Sequence, residues 1–132
     1  MKLISRRTLL LASVLTPALT PAFAASIFNG IDTNNDGTIS LDEAKAAASK
    51  VFDQLDHDHD GTLDRPELRG RISARDWKIA DPDNDKTVSK DEYLKFVEYA
   101  FKRADTDNEG TVDAKEARTR AGRVLLRLLR AR

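Results

Sequence analysis

Residues 56–67, Asp56-His57-Asp58-His59-Asp60-Gly61-Thr62-Leu63-Asp64-Arg65-Pro66-Glu67, place acids at positions 1, 3, 5, 9 and 12 of a twelve-residue window. Gly61 falls at position 6 and Leu63 at position 8. Short carboxylates on alternate residues point inward when a chain curls around an ion. A hard cation that takes about 6–8 oxygen ligands suits such a ring. The glycine permits the positive φ at which the chain doubles back. Glu67 is one methylene longer than Asp and is expected to reach back from the following helix to offer both oxygens.

The window occurs in four versions, starting at Asp32, Asp56, Asp81 and Asp105, with spacings of 24, 25 and 24 residues. The first carries Asp32, Asn34, Asp36, Thr38 and Glu43 at positions 1, 3, 5, 7 and 12. The second carries Asp56, Asp58, Asp60, Thr62 and Glu67. The third has Asp81, Asp83, Asp85, Thr87 and Glu92, and the fourth Asp105, Asp107, Glu109, Thr111 and Glu116. Position 8 is Ile39, Leu63, Val88 and Val112, always apolar. At position 7 the backbone carbonyl, not the threonine side chain, is the expected ligand.

This pattern resembles the EF-hand superfamily of calmodulin-like proteins, over nearly all of the chain beyond its first two dozen residues. The resemblance implies an all-α fold of helix–loop–helix repeats, four Ca²⁺ loops, and loops that pair through their position-8 residues. Mg²⁺ suits the loops less well, because it demands tight octahedral geometry and gives up its waters reluctantly.

The flanks agree with helices around the loops. Ile27, Phe28 and Ile31 precede the first loop at helical spacing, and Ala48, Val51, Phe52 and Leu55 precede the second. Tyr93, Leu94, Phe96, Val97, Ala100 and Phe101 line the segment between the third and fourth. These stripes read as core packing. Positions 9 and 12 pair Ser40 with Glu43, Asp64 with Glu67, Ser89 with Glu92 and Asp113 with Glu116, four capping-box signals.

The repeat is short for this family. Residues 44–55 hold no Gly or Pro, so one continuous helix is expected to leave the first loop and enter the second. Twelve residues at about 1.5 Å each set consecutive loops nearly 20 Å apart. The expected pairing is therefore loop 1 with loop 3 and loop 2 with loop 4, with 1–2 and 3–4 as the competing topology. Gly70 is a candidate break, and Ser73-Ala74-Arg75-Asp76 a candidate start for a short helix bearing Trp77.

Ligand charge ranks loop 2 strongest, with five acids against three in loop 1. Loop 3 ranks weakest, because Lys86 replaces the position-6 glycine and a non-glycine left-handed residue costs roughly 1–2 kcal/mol. In loop 4 the longer Glu109 is expected to crowd the ion. His57 and His59 occupy outward-facing positions of loop 2 and read as exposed.

Residues 1–24 read as a cleavable signal peptide: Lys2, Arg6 and Arg7, then a short apolar run from Leu9 to Leu15, then Ala22-Phe23-Ala24. Ser5-Arg6-Arg7-Thr8-Leu9-Leu10 resembles a twin-arginine signal. The expected product is a periplasmic or secreted bacterial domain, residues 25–132. Removing the signal leaves 19 basic against 22 acidic residues, a net charge of −3, which argues against a general nucleic-acid binder. There is no cysteine, hence no disulfide framework.

The last helix is expected to run from Ala114 to Arg132, with a Val124, Leu125, Leu128, Leu129 stripe and six arginines (118, 120, 123, 127, 130 and 132) on the remaining surface. Docking of that stripe on its own domain is favoured. An alternative is an adaptor that meets a membrane surface or a protein through this basic amphipathic helix. No nucleophile–base arrangement stands out, so no enzyme activity is expected. The expected function is Ca²⁺ binding, as a sensor acting on an unidentified protein partner or as a buffer or structural module.

Overall fold

A computed structural model describes residues 26–131. The expected signal peptide lies outside the described residues. The elements in order are β1 (Thr38–Ser40), α1 (Leu41–Leu55), β2 (Thr62–Leu63), α2 (Ala74–Ala80), β3 (Val88–Ser89), α3 (Lys90–Ala104), β4 (Thr111–Asp113), α4 (Ala114–Ala117) and α5 (Arg120–Leu129).

Helices α1 and α3 are built alike. Each opens on a serine N-cap with a full capping box, Ser40 with Glu43 and Ser89 with Glu92. Each ends where the next acidic loop begins, at Asp56 and Asp105, whose N–H groups donate to Phe52 and Phe101. One face of α1 buries Ala44, Ala47, Ala48, Val51 and Phe52. The facing stripe of α3 buries Tyr93, Phe96, Val97, Ala100, Phe101 and Ala104. The two faces pack together, and Phe52 and Tyr93 meet edge to face with centroids 5.8 Å apart. The expectation of a helix shared between consecutive loops holds for both.

Helices dominate, but the fold is not purely α-helical. Two short antiparallel ladders join the loops, β1 with β4 and β2 with β3. Their registers set Ile39 opposite Val112 and Leu63 opposite Val88. Loop 1 therefore pairs with loop 4 and loop 2 with loop 3. This overturns both the 1–3/2–4 pairing and its 1–2/3–4 competitor. The reason lies in the middle connection. After Glu67 the chain makes a single helical turn, with Leu68 N–H donating to the Asp64 carbonyl at 3.1 Å. Gly70, at φ +80, reverses it. Ser73 then caps α2, its hydroxyl accepting from Asp76 N–H, and α2 runs back to the same end of the molecule. This out-and-back excursion sets loop 3 beside loop 2 and makes α3 antiparallel to α1. A parallel pair, which the 1–3 pairing needs, requires a connection running back the length of α1. The Asp64–Glu67 box is also formed, yet no α-helix follows it.

The C-terminal helix departs from expectation as well. It breaks into α4 and α5 at residues 118–119, where Thr119 caps a new helix by accepting from Gly122 N–H. The two pieces approach closely: a Cβ at Gly122 would lie 2.2 Å from the Glu116 carbonyl oxygen. The break re-aims α5 so that Leu125, Leu126, Leu128 and Leu129 are buried. Burial of each such side chain contributes roughly 1.5–3 kcal/mol. Leu126 joins this face and Val124 is only half-buried, a rotation of the expected stripe. The far end of α5 is tied down by two buried side chains. The Tyr93 hydroxyl donates to the Leu128 carbonyl at 2.8 Å, and Arg71 Nη1 donates to the carbonyls of Arg127 and Arg130 at 2.6 Å each. Arg130 in turn donates to the Ile27 carbonyl. The last helix is thus docked on its own domain.

Candidate metal centres

Each loop is shaped first by its position-1 aspartate. Asp32 Oδ1 and Oδ2 accept from the N–H groups of Asp36 and Gly37 at 3.3 and 2.9 Å. Asp56 does the same for Asp60 and Gly61, Asp81 for Asp85 and Lys86, and Asp105 for Glu109 and Gly110. The position-3 side chains, Asn34, Asp58, Asp83 and Asp107, accept from the same position-5 N–H. Asp36, Asp60 and Asp85 then accept from the N–H and hydroxyl of Thr38, Thr62 and Thr87. Those threonine N–H bonds hold the three carboxyls below the usual carboxylate range. Backbone donors thus draw each ring of oxygens toward one point.

The turn requires two left-handed residues. Position 6 has φ +83 at Gly37 and Gly61, +71 at Lys86 and +89 at Gly110. Position 4 has φ +56 to +57 at Asn35, His59, Asn84 and Asn108. The second requirement escaped the sequence reading. Its signal was there: three of the four residues are Asn, which tolerates this region better than most side chains.

The position-12 glutamates differ in a way that sorts the loops. Glu43 Oε1 accepts from Thr33 N–H at 3.0 Å while Oε2 accepts from Ser40 N–H at 2.9 Å. Glu116 bridges Thr106 and Asp113 in the same manner, and Glu67 bridges His57 and Asp64. Each is both cap and loop lid. Glu43 and Glu116 are buried, and Glu67 is half-buried. Burial pushes the Glu43 carboxyl up, but donors led by Ser40 N–H outweigh it and hold it below its ordinary value.

Glu92 behaves otherwise. It accepts from Ser89 N–H at 2.9 Å and serves its capping box, with no bond to the start of its loop. The residue at position 2 there is Pro82, which has no N–H to give. Sequence reasoning ranked loop 3 weakest because of Lys86 and did not weigh Pro82.

The clusters follow these bonds. Ligand atoms of Asp32, Asp36 and Glu43 lie within 4.8 Å of one another, as do those of Asp56, Asp58 and Glu67. So do those of Asp81, Asp83 and Asp85, and those of Asp105, Asp107 and Glu116. Asp60, Glu92 and Glu109 stand outside these groups of mutually close acids. Thr38, Thr62 and Thr111 open strands β1, β2 and β4, and Thr87 lies just before β3. His57 and His59 are exposed.

Oxygen donors crowded at this distance repel one another. A hydrogen bond with the neighbouring Asp81 carboxyl, ahead of charge repulsion from Asp85 and Glu92, raises Asp83 above its ordinary value, and Asp107 does the same to Glu109 by hydrogen bond and then by charge. An all-oxygen donor set with converging carboxylates fits a hard divalent cation, which relieves that repulsion. No thiolate or imidazole enters any of the clusters.

A family model described as an EF-hand domain pair matches residues 1–50, and one described as an EF hand matches residues 49–69. No curated protein matches the chain. The matched segments span the first two loops, and the same bond pattern repeats at Asp81 and Asp105. By these matches and by its clustered carboxylates, the chain is an EF-hand calcium-binding protein.

Proposed function

We propose that the protein is an exported Ca²⁺-binding module of the structural or buffering kind, with all four loops as sites. What supports this over a sensor is the sharing of helices. A sensor opens by swinging one helix of a hand away from the other. Here α1 and α3 each carry a loop at both ends, and a β-ladder joins those loops at either end. Opening one hand would drag the opposite pair with it. The large apolar side chains are already covered, and Ile79 is the one exposed large hydrophobe among the described residues. Ca²⁺ binding should therefore stabilise a closed fold by linkage.

The ligands are Asp32, Asn34, Asp36 and Glu43 in loop 1, and their counterparts in the others, with the position-7 backbone carbonyls. Ca²⁺ is favoured over Mg²⁺ because these loops supply many oxygens, and Ca²⁺ takes about 6–8 of them in variable geometry whereas Mg²⁺ demands a tight octahedron. Export rests on residues 1–24, with the basic start, apolar run and small-residue cleavage site of a signal.

A calorimetric Ca²⁺ titration of residues 25–132, with a hydrophobic dye followed in parallel, tests the module. Binding with a silent dye is the expected result. A large dye response on saturation would establish a sensor, and absence of heat would remove the metal reading. Fusing residues 1–24 to a reporter tests export, and retention of the reporter in the cytoplasm would overturn it.

A further inference from the structure

A groove of about 770 Å³ opens between α2, α3 and α5. Arg75, Arg103, Arg120, Arg123 and Arg127 rim it, all exposed. Arg71, a sixth, is occupied with the α5 carbonyls. The single carboxylate in the lining is Asp76. Among the described residues none of the five rim arginines is in an ion pair, unlike Lys45 and Lys102 with Glu98 and Lys90 with Asp53. The chain as a whole has equal numbers of acidic and basic residues. The charges are nevertheless segregated: acids gather in the loops, arginines around this groove.

The floor is of a different nature. Phe96 is buried, and Tyr99 and Val124 are half-buried. Arg103 is held over Tyr99, its Nη1 donating to the hydroxyl at 2.9 Å and its guanidinium 5.6 Å from the ring centroid. One rim guanidinium is therefore set in place before any ligand arrives.

We propose that this groove binds an acidic segment of a partner protein, in which Asp or Glu residues flank an aromatic or large apolar side chain. Guanidinium forks pair with carboxylates in two-point contacts, and the rim supplies several. The aromatic floor takes the apolar side chain. Free inorganic phosphate would satisfy the rim and leave the floor in water. A bilayer fits poorly, because the groove is concave and the α5 leucines that would enter lipid are buried in the core. None of the rim arginines belongs to a metal cluster, although the groove borders loop 4 through Thr106, which donates to Glu116.

The test is fluorescence anisotropy of a labelled peptide alternating Glu with Phe, titrated with the protein in Ca²⁺ and again in chelator. Saturable binding is expected in both. The Arg75→Glu, Arg123→Glu double variant should weaken it by about tenfold or more, since two attractions become repulsions. Both side chains are exposed and unpaired, so the variant is expected to melt with the parent. Charge swap gives a second reading: a Lys-for-Glu peptide should bind the variant and not the parent. Failure of the parent to bind the Glu peptide would overturn the proposal, as would equal binding by the variant. Displacement of the peptide by inorganic phosphate or by vesicles of anionic lipid as readily as by unlabelled peptide would also overturn it, identifying a general anion site or a membrane face instead.

Discussion

Ile39 lies directly opposite Val112 across the β1–β4 ladder, and both side chains are completely buried. The first acidic loop and the last are thus one unit, although the other two loops lie between them in the sequence. Leu63 and Val88 form the equivalent contact at the other end of the α1–α3 pair. Metal binding at one loop should therefore be felt at its ladder partner rather than at its neighbour in sequence.

Ile39→Ala tests this directly. Emptying a fully buried position costs about 2–5 kcal/mol in stability. Within the folded protein, loops 1 and 4 should lose metal affinity together while loops 2 and 3 keep theirs. Leu63→Ala should show the reverse. Residue-resolved NMR during a Ca²⁺ titration separates the two patterns. Joint weakening of loops 1 and 2 by Ile39→Ala would contradict the ladder.

Loop 3 carries two local handicaps, and each can be reversed. Lys86 sits at φ +71, so Lys86→Gly should gain about 1 kcal/mol from relief of the left-handed penalty. Pro82→Thr should restore the N–H that Glu92 lacks across its loop. Together they should raise loop 3 affinity by roughly tenfold, a value that the strain relief alone approaches. Calorimetry on the double variant measures it. Conversely, Glu92→Gln should weaken its loop less than Glu43→Gln weakens loop 1.

The end of α5 hangs on two donors. Tyr93→Phe leaves the buried Leu128 carbonyl without its partner and should cost about 1–3 kcal/mol by urea unfolding. Burial also pushes the Tyr93 hydroxyl well above its ordinary pKa, against a smaller opposing pull from Arg71. It therefore remains a donor throughout the neutral range. Gly122→Ala should be worse than its one carbon suggests. The new Cβ would meet backbone at 2.2 and 2.5 Å, so α4 and α5 must separate. A loss of about 1–3 kcal/mol is expected.

Glu98 links α1 to α3, with Lys102 and Lys45 both 3.1 Å away. The hydrogen bond from Lys102, then that from Lys45, holds its carboxyl below the ordinary value of 4.5. A carboxyl lowered in the folded state stabilises above its unfolded pKa, and that contribution fades as pH falls through the folded value. Glu98→Gln should therefore lower Tm slightly at neutral pH. The two melting curves should converge once the solution is more acidic than the carboxylate range. A difference that persists in acid would assign the effect to packing instead.

Much of the site was legible in the chain because its geometry is local. Twelve consecutive residues contain the bonds that shape each loop: Asp56 to Gly61, Asp60 to Thr62, Glu67 to His57. Alternation of short acids, a flexible sixth position and a capping box are all readable at that range. What escaped at this scale was backbone detail of the same kind, the left-handed fourth position and the missing donor at Pro82. The continuous helices α1 and α3 were legible for a similar reason, since no Gly or Pro in residues 44–55 or 93–104 interrupts them.

The pairing of loops was not legible, because it depends on the direction of α3 relative to α1. Gly70 and Ser73 were recognisable as a break and a cap. Whether the chain then returned to the same end was decided by packing of Trp77 and Ala80 of α2 into the core. The split at Thr119 belongs to the same class. By sequence, residues 114–132 read as one helix, and only the close approach of Gly122 to Glu116 and Ala117 turns α5 so that its leucines enter the core. Local hydrogen bonds and glycine positions determined the loops. Long-range burial of apolar faces, which sequence spacing does not encode, decided which loops meet and which arginines gather around one groove.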